Sequence, residues 1–595
     1  MEDSRHLDAL RGLMRKYKID LYIVFLADEH ASEYVVDAYQ RTRWLSGFTG
    51  TNATIVVTED DAGLWTDGRY FIQAKRQIAD SGVRLFPMGE DGVPTVEEYV
   101  KDNLPIKGRM ACNGKVITLS DYDKYLDIAD SKRARFTLDR DLIGMLWKDA
   151  PALPEKKVWI LEDEYAGEPA AEKISRVLYE VSKEGAEGLM LTGLCDIAWL
   201  LNIRGDDIRH TPVPMAFLFL SEKKKVLFIA KKALEHKTRK YFRSLGIKVK
   251  PYESVYSFAS KLRCPSVMLD PSVINARLAL SFRDRTDLIC ADNPTALMKA
   301  VKNETEIKNT RLAHIRDGAA VTKFIYYVKN HVSDGNLTEY SLVQKLHELR
   351  AETLHYLDDS FDTIAAYGSN AAMMHYEPDM ANDVRVEPKG FLLVDSGGHY
   401  LEGTTDITRT IVLGELTPEE IHAYTLTLRG ALRLMSAHFP EKTLCQGLDV
   451  LARGPFWDEA LDYRCGTGHG VGHISSVHEG PNGFRSRITE ANPACELKAG
   501  MITTDEPGLY VEDGFGVRIE NELLCVPDTE SEYGRFLCFD NLTMAPIDLE
   551  AVDFSMLTEY EKKTLQEYHE TVCLTLKPYL TDDEYNWLLN ETRER

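Results

Sequence analysis

Short apolar runs alternate with segments of helical periodicity through the first half of the chain. LYIVFLA, which begins at Leu21, indicates a buried strand, and ATIVVTEDDAGLWTD, which begins at Ala53, indicates two strands around a polar turn. The segment GRYFIQAKRQI that follows has the spacing of a helix with one apolar face. Strands that alternate with helices in this way predict an α/β domain.

The same order of elements recurs further along the chain. GLMLTG, which begins at Gly188, predicts a strand, CDIAWLLNIRG a helix and turn, and PMAFLFLSEKKKVLFIA two strands around a charged turn. The heptad WLSGFTG at Trp44 has its counterpart in WLLNIRG at Trp199, and each heptad precedes a predicted hairpin. We infer an internal duplication, in which the linker KDAPALPEKK separates a first domain, 1–152, from a second, 153–298.

A third domain is predicted for residues 299–595, after the segment DNPTALMKAVKNETE. Near its start, Val321, Phe324, Ile325 and Val328 recur at the spacing of one helical face, and SLVQKLHELRAE continues a similar pattern. We therefore expect this domain to begin with amphipathic helices that bury one face.

Two capping boxes mark further helices in the third domain. TPEE, which runs from Thr417 to Glu420, has proline at the first helical position and predicts a helix of about 20 residues. TDDE, which begins at Thr581, predicts a short terminal helix that contains Trp587 and Leu588. A terminal helix with such apolar residues is either docked on the core or buried in an oligomer contact.

The charge balance narrows the range of partners. A formal net charge of −23 argues against a general nucleic-acid binder, which needs a basic face. The chain has no run of about 18 apolar residues and no apolar segment suited to a signal peptide. Its ten cysteines are scattered without a CxxC pair, which indicates reduced thiols. We expect a cytoplasmic protein with no membrane and no nucleic-acid partner.

Four carboxylates and one histidine are concentrated in one stretch of the third domain. FLLVDSGGHYLEGTTDITRTIVLG places Asp395 and Asp406 on either side of a turn, and MITTDEPGLYVEDGFGVRIENELLCV does the same for Glu506 and Glu520. Each segment has the order apolar strand, glycine-rich turn, apolar strand, so each is predicted to form a hairpin. Between them lies CGTGHGVGHISSVHEGP, which carries His469. Two hairpins can direct two pairs of carboxylates at one point beside an imidazole.

This donor set suits two divalent cations. Carboxylates with one imidazole, and no thiolate at a suitable spacing, favour Mn²⁺ first and then Co²⁺, Zn²⁺ or Fe²⁺. Carboxylates can bridge two ions about 3.5–4 Å apart, which imidazoles do not. The alternative is that these acids are merely solvated ends of hairpins. Asp395 follows the apolar run LLV, and Glu520 follows the mainly apolar segment VRI. An unpaired charge is costly at such a position, and we favour the metal site for that reason.

Several segments resemble a known family. DSGGHYLEGTTDITRT, GTGHGVGHISSVHEGP, TTDEPGLY and GVRIENELL resemble the signature segments of the pita-bread metallopeptidases, specifically the three-domain aminopeptidase P (Xaa-Pro aminopeptidase) family. SEYVVDAYQRTRWLSGFTG, LWTDGRYFIQA and CDIAWLLNIRGDD are similar to segments of that family's first two domains. The resemblance implies an α/β (α+β) chain, with two duplicated creatinase-like N-terminal domains followed by a pita-bread metallopeptidase catalytic domain with a C-terminal extension.

The resemblance also implies an activity and a ligand set. The activity is that of a homodimeric metallo-exopeptidase that hydrolyses the bond between an N-terminal residue and a following proline. The ligands of its two metal ions would be Asp395, Asp406, His469, Glu506 and Glu520, with Asp406 and Glu520 as bridges. A metal-bridged hydroxide would attack the scissile carbonyl, and Glu506 would carry the proton from the water to the proline nitrogen.

Further residues match the family's catalytic positions. AAMMHYEP places His375 where the family keeps a histidine that hydrogen-bonds the reacting carbonyl. VHEGP places His478 where a second histidine holds the substrate backbone. Arg518, two residues before Glu520, points to the same strand face and could brace a ligand carboxylate.

The chain departs from the family pattern at one position. Cys465 stands four residues before His469, where many relatives have a histidine. His473 could partly replace that imidazole, or Cys465 could simply pack. A third hypothesis is that this thiol makes the enzyme sensitive to oxidation or to soft metals. The departure concerns a substrate contact and leaves the five ligands unchanged, and His399 has no assigned role.

Three other functions remain open at this point. The nearest is a prolidase restricted to Xaa-Pro dipeptides, but prolidases of this family usually carry one N-terminal domain rather than two. A methionine aminopeptidase is a weaker alternative, because those enzymes generally lack both N-terminal domains. The third is a non-catalytic peptide-binding module of the same fold, which typically loses the metal ligands that this chain retains.

Overall fold

The computed structural model describes residues 3–68, 70–282, 286–374, 376–489 and 492–593. The chain divides into two compact units, of which the first comprises Met1–Leu161 and Pro169–Thr295 and the second Glu162–Glu168 and Ala296–Arg595. Within the described ranges, the helices include none that is long and apolar enough to cross a membrane.

The first unit contains two six-stranded sheets. The strands of the first sheet are β1 (Leu21–Phe25), β2 (Thr54–Thr58), β3 (Ala62–Thr66), β4 (Arg84–Pro87), β5 (Arg109–Cys112) and β6 (Arg135–Thr137). Their order is β4-β3-β2-β1-β5-β6. The helices among them are α1 (Asp3–Tyr17), α2 (Arg41–Ser46), α3 (Phe71–Gln77), α4 (Val96–Asn103), α5 (Leu119–Ser131) and α6 (Leu142–Leu146). Along β1, Tyr22 and Val24 face one core cluster and Leu21 and Ile23 the other, as the two-residue period of a strand requires.

The second sheet follows in the same unit. The strands of this segment are β7 (Trp159–Ile160), β8 (Gly188–Leu191), β9 (Ile203–Arg204), β10 (Ala216–Ser221), β11 (Lys225–Ile229), β12 (Ile247–Lys250), β13 (Ser266–Leu269) and β14 (Asp287–Cys290). Six of them form the sheet β12-β11-β10-β8-β13-β14, and β7 pairs with β9. The helices are α8 (Ala170–Lys183), α9 (Leu194–Leu200), α10 (His236–Ser244), α11 (Val255–Ala259) and α12 (Ala276–Ala279), while α7 (Asp163–Ala166) belongs to the second unit.

The two sheets share one pattern of strand pairing. In each, the central strand (β1 or β8) pairs antiparallel with one neighbour (β2 or β10) and parallel with the other (β5 or β13). The outer pairs β3–β4, β11–β12, β5–β6 and β13–β14 are all parallel. The helices that carry Trp44 and Trp199, α2 and α9, occupy corresponding places between the central strand and its antiparallel neighbour. The duplication inferred from the two heptads is therefore confirmed.

The second unit combines long helices with small antiparallel sheets. Its helices are α13 (Pro294–Ala300), α14 (Glu304–His331), α15 (Glu339–Ala351), α16 (Pro418–Met435), α17 (Cys445–Trp457), α18 (Glu559–Leu576) and α19 (Asp582–Glu591). Its strands are β15 (Tyr356–Asp359), β16 (Ile364–Tyr367), β17 (Phe391–Ser396), β18 (Gly398–Tyr400), β19 (Gly403–Thr404), β20 (Ile407–Val412), β21 (His438–Pro440), β22 (Ile502–Asp505), β23 (Gly508–Tyr510), β24 (Gly516–Arg518), β25 (Asn521–Ser531) and β26 (Gly534–Asn541).

Two of the predicted helices enclose the sheet β16-β17-β20. The apolar face of α14, including Val321 and Phe324, packs in one cluster with Leu392 and Ile411 of that sheet. On the other side, α16 begins at the expected capping box and is 18 residues long, and its Leu428 shares a cluster with Phe391. Both strands are buried along their whole length: β17 begins with the apolar run FLLV, whereas β20 also buries the polar side chains of Thr408, Arg409 and Thr410.

The terminal helix is docked on the core of its own chain. Its capping box forms as the sequence predicts, with Thr581 accepting a hydrogen bond from the amide of Glu584. Leu588 is fully buried, and the Trp587 ring lies 5.5 Å from that of Tyr326 on α14. Of the two roles open for this helix, docking is the one observed.

The connection between Asp395 and Asp406 differs from the single turn that the sequence predicts. β17 and β20 do pair antiparallel, with Asp395 opposite Thr408. The chain between them forms a second hairpin, β18–β19, which joins β15 in a separate three-stranded sheet. The pairing partner β15 lies outside the segment, so the local sequence gives no sign of this excursion.

Candidate metal centre

The first pair of carboxylates lies at the end of the β17–β20 ladder. Asp395 is the fifth residue of β17 and lies between Ile364 of β16 and Thr408 of β20. Asp406 immediately precedes β20, and its backbone amide donates a hydrogen bond of 2.7 Å to Glu522 Oε1. Both aspartates are buried, so this ladder delivers two carboxylates into the interior of the unit.

The second pair comes from two nested antiparallel pairings. β22 pairs with β25, which sets Asp505 opposite Asn521, and β23 pairs with β24, which sets Gly508 opposite Arg518. Glu506 follows β22 directly, and Glu520 immediately precedes β25. The predicted hairpin is thus present, and it holds both glutamates at the junctions between strands.

His469 is held with one ring nitrogen available. Its backbone amide donates to Thr504 Oγ1, and its carbonyl accepts from the amide of Thr504, which fixes the loop against β22. The ring Nδ1 lies 2.9 Å from the carbonyl oxygen of Gly470, which can only accept, so Nδ1 carries the proton. Nε2 is the ring nitrogen that faces the carboxylates, 3.4 Å from Asp406 Oδ2 and 3.6 Å from Glu506 Oε1. A neutral imidazole in this tautomer is a metal ligand.

A glycine allows the histidine loop to approach β22 this closely. A Cβ built on Gly468 would lie 1.8 Å from the carbonyl oxygen of Thr504. No side chain fits that gap, so the motif GTGHG needs glycine immediately before His469.

Three of the predicted ligands converge most tightly. One donor atom each from Asp406, His469 and Glu520 lies within 4.8 Å of the other two. Glu506 joins them through the contact of its Oε1 with His469 Nε2. Asp395 lies close enough to raise the pKa values of Asp406 and Glu520.

Without cations, the buried carboxylates repel one another and are costly to ionise. Burial raises the pKa of Asp406 well above its usual range, and the charges of Asp395 and Glu506 raise it further. The pKa of Glu520 is raised in the same way, by burial and then by Asp406 and Glu506. Burial also raises the pKa of Asp395, although the Arg518 guanidinium opposes the shift. Like charges this close need a counter-charge to stay ionised together.

Arg518 and Thr408 connect two of the predicted ligands. The Arg518 guanidinium donates to Asp395 Oδ2, to Thr408 Oγ1 at 3.0 Å and to Tyr510 Oη at 2.6 Å. The Thr408 hydroxyl in turn donates to Glu520 Oε2 at 2.7 Å. Arg518 therefore braces Asp395, as the strand alternation suggests. Thr408 was not anticipated, although it stands two residues after Asp406 and so projects from the same side of the strand.

Glu522 is another residue that the sequence reasoning missed. It is fully buried, accepts the amide of Asp406 and lies 3.2 Å from His314 Nε2 through its other oxygen. Its place two residues after Glu520 is the sequence signal that could have found it. Glu522 therefore holds the backbone at Asp406 in place.

Of the other histidines singled out in the sequence, one lies beside the centre and two have contacts of their own. The His478 ring lies edge-on to the His469 ring at a centroid distance of 4.4 Å, which places it beside the centre. His473 is buried, with its ring nitrogens 3.3 Å from Thr310 Oγ1 and 3.2 Å from the carbonyl oxygen of Tyr165. His399 Nδ1 contacts Thr404 Oγ1. His375, the other predicted catalytic residue, lies outside the described residues.

Cys465 lies near the centre, where its thiol is part of an apolar cluster. Its thiol packs in a small cluster with Phe456 and Tyr463. Burial and then the Glu506 carboxylate raise the pKa of this thiol to about 11. A raised pKa disfavours the reactive thiolate form, and the contacts of this thiol are those of a packing group. Of the alternatives considered for this position, packing is the one the contacts support.

The donor set fits two divalent cations. The donors are carboxylate oxygens and one neutral imidazole nitrogen, the ligands that hard and borderline cations take. Asp395 Oδ1 is buried and has no hydrogen-bond partner among the described residues, so one acceptor remains to be satisfied. The raised pKa values of the buried carboxyls are the expected sign of a site completed by positive charge.

Models of known protein families match most of the chain. The model of metallopeptidase family M24 matches residues 308–527, and that of the C-terminal region of peptidase M24 matches 535–595. Two models of the creatinase/prolidase N-terminal domain match residues 6–136 and 149–306.

Individual relatives extend over the full length. Xaa-Pro aminopeptidase 1 of Dictyostelium discoideum is 34% identical over 611 residues, which cover 99% of this chain and 96% of that protein. The crystal structure of an X-prolyl aminopeptidase from Caenorhabditis elegans, described as a cytosolic enzyme with a dinuclear active site, superposes with a TM-score of 0.95 at 32% identity and full coverage of both chains. The Xaa-Pro dipeptidase of Bacillus anthracis, at 21% identity and a TM-score of 0.51, covers 64% of this chain and 99% of its own and shows a shared fold.

Proposed function

The chain belongs to the Xaa-Pro aminopeptidases of metallopeptidase family M24, and from this premise we propose that it removes the first residue of peptides whose second residue is proline. The observation that carries the proposal is the convergence of Asp406, His469 and Glu520, whose donor atoms lie within 4.8 Å of one another. These residues lie in a buried, carboxylate-rich site whose negative charge needs cations to neutralise it.

Five side chains would hold two divalent cations in this site: Asp395, Asp406, His469, Glu506 and Glu520. When bound, the two cations lower the pKa of water and polarise the scissile carbonyl. Mn²⁺ is the proposed native ion because the donors are oxygens and one imidazole, with Co²⁺ or Zn²⁺ as substitutes.

Glu506 is proposed as the proton shuttle. Its side chain is 21% exposed, against 5% for Asp406, so it is the ligand carboxylate more open to a bound peptide. Its Oε1 accepts a hydrogen bond from Thr504 at 3.3 Å, which holds the carboxylate in place. Glu506 takes a proton from the attacking water and delivers it to the proline nitrogen, which must be protonated to leave as an amine.

The two histidines are proposed to contact the substrate. His478 lies beside His469 and is partly exposed, as a group that binds a peptide backbone must be. His375 is assigned to the reacting carbonyl on its sequence motif alone. The peptide bond before proline is a tertiary amide with no N–H. The protein must therefore recognise the substrate through contacts with its carbonyl oxygen and its terminal amine.

The organisation of the whole chain completes the proposal. The division into domains 1–152, 153–298 and 299–595 is supported by the family matches, which change from one family model to the next at 136–149 and at 306–308, close to the two boundaries. A cytoplasmic homodimer is proposed, and the description of the Caenorhabditis elegans relative as cytosolic supports the location.

A peptide panel tests the activity and separates it from that of a prolidase. The full-length protein with Mn²⁺ is expected to cleave Xaa-Pro-Yaa and longer peptides and to leave a matched Xaa-Ala-Yaa peptide intact. Cleavage of Xaa-Pro dipeptides with no cleavage of the longer peptides would instead show a prolidase. Metal binding without cleavage of any of these peptides would show the non-catalytic module.

A further inference from the structure

A second cluster of metal-binding side chains lies on the sheet β21-β26-β25-β22. His438 on β21 pairs directly with Cys538 on β26, and Asp528 extends from β25 on the other side of β26. One donor atom from each of the three lies within 4.8 Å of the other two. His438 Nδ1 and Asp528 Oδ2 are already 2.9 Å apart.

Strand alternation explains why these side chains share a face. Phe439 and Leu537, the neighbours of His438 and Cys538, are buried in the main core cluster of the unit. The period of two then places His438 and Cys538 together on the opposite face. On β25, Val526 pairs with Cys538, and Asp528 stands two residues further along that strand, just after the point where the ladder between β25 and β26 shifts register.

The three residues are accessible to an ion from solvent. The side chain of His438 is 58% exposed and that of Asp528 is 23% exposed, so metal binding requires no opening of the core. Cys538 is partly buried and is not in a disulfide. Burial raises the pKa of its thiol, and Asp528 and Asp540 raise it further, so a cation between the thiol and Asp528 would offset that repulsion.

We propose that His438, Asp528 and Cys538 form a third metal site, for a borderline transition-metal ion such as Zn²⁺ or Co²⁺. One nitrogen, one oxygen and one sulfur donor favour these ions over Mn²⁺, which prefers oxygen. Tetrahedral coordination by three side chains leaves the fourth position to water, so the ion exchanges with solvent. A bound ion links β21 to β25 across β26 and stabilises this edge of the sheet.

Cobalt absorption provides the test. Co²⁺ is titrated into the full-length protein after its carboxylate centre has been loaded with Mn²⁺. The expected result is a thiolate-to-cobalt charge-transfer band that saturates and is bleached by excess Zn²⁺. Cys538→Ser should abolish the band, and His438→Gln should weaken Co²⁺ binding at least about tenfold. Zn²⁺ should also raise the melting temperature of the wild type and not that of Cys538→Ser.

Two cysteine variants serve as matched controls. Cys290 is an exposed thiol in the first unit, and Cys465 is a thiol close enough to the carboxylate centre for Glu506 to raise its pKa. The band should persist in Cys290→Ser and in Cys465→Ser. A band that survives in Cys538→Ser, or that disappears in either control, would overturn the proposal. If Cys538→Ser does not fold, unchanged Co²⁺ affinity in the exposed-site variant His438→Gln would overturn it equally.

Discussion

At the scale of single residues, the centre depends on side chains that never need to touch a substrate. Thr408 accepts from Arg518 and donates to Glu520, so one hydroxyl orients a ligand and is itself oriented by the group that braces Asp395. Outer partners of this kind fix the direction of a ligand's lone pairs. Thr408 and Glu522 follow Asp406 and Glu520 by two residues, a spacing that sequence reasoning could have used.

Thr408→Val keeps the shape of the side chain and removes its hydroxyl. Glu520 then loses a hydrogen bond, and Arg518 Nε loses its acceptor. We expect metal affinity to fall about 10–100-fold, measured by competition with a chelator of known affinity. Thr408→Ser retains the hydroxyl and should remain close to the wild type. Equal affinity in the valine and serine variants would refute a role for the hydroxyl.

Glu506→Gln removes a proton acceptor and preserves the size of the side chain. Loss of general acid–base catalysis should lower the turnover of an Xaa-Pro-Yaa peptide by about 10²–10⁴-fold. Circular dichroism should show an unchanged fold, and metal content after loading should be measured because Glu506 is also a proposed ligand. Near-normal turnover would show that another group carries the proton.

At the scale of elements, the fold and the site differ in how far the sequence predicts them. The capping boxes at Thr417 and Thr581 are local signals, and both helices begin where predicted. The hairpin excursion β18–β19 is set by pairing with β15, which no local pattern reveals. The contact between Asp395 and Arg518 joins residues 123 apart in sequence, so periodicity gives the direction of each side chain and only the tertiary fold brings them together.

The loop that carries Gly468 and His469 lies so close to β22 that a larger residue at position 468 should displace the whole loop. In Gly468→Ala the new methyl group would meet the carbonyl oxygen of Thr504 at 1.8 Å, so the loop must move away from β22 and carry His469 with it. We expect both metal affinity and turnover to fall, while the melting temperature of the metal-free protein changes less. Gly447→Ala on α17 is the control, because its Cβ meets only an ordinary contact at 3.9 Å. Similar activity in the two variants would contradict the close approach.

At the scale of the whole molecule, the buried carboxylates couple stability to pH and to metal. The folded-state pKa values of Asp406, Glu520 and Asp395 are raised in the absence of cations. A carboxyl with a raised folded pKa contributes stability below its unfolded pKa of about 4 and loses that contribution as pH rises through the folded value. The metal-free protein should therefore lose stability as pH increases toward neutrality, where cations restore it.

The gap in melting temperature between Mn²⁺-loaded and metal-free protein should widen from about pH 5 to neutral pH. Using the gap cancels the titration of groups elsewhere in the chain, because they are present in both forms. Differential scanning fluorimetry at matched ionic strength measures it. A gap that stays constant or narrows as pH rises would show that these carboxylates are not relieved by the metal.

The most direct test is recovery of activity against equivalents of metal. Full-length protein is stripped with a chelator, and Mn²⁺ is added back while cleavage of an Xaa-Pro-Yaa peptide is followed. Activity should be absent without metal and should reach its plateau at two equivalents per chain, and His469→Ala should not recover it. Full activity in the stripped protein, or a plateau at one equivalent, would contradict a dinuclear centre built on Asp406, His469 and Glu520.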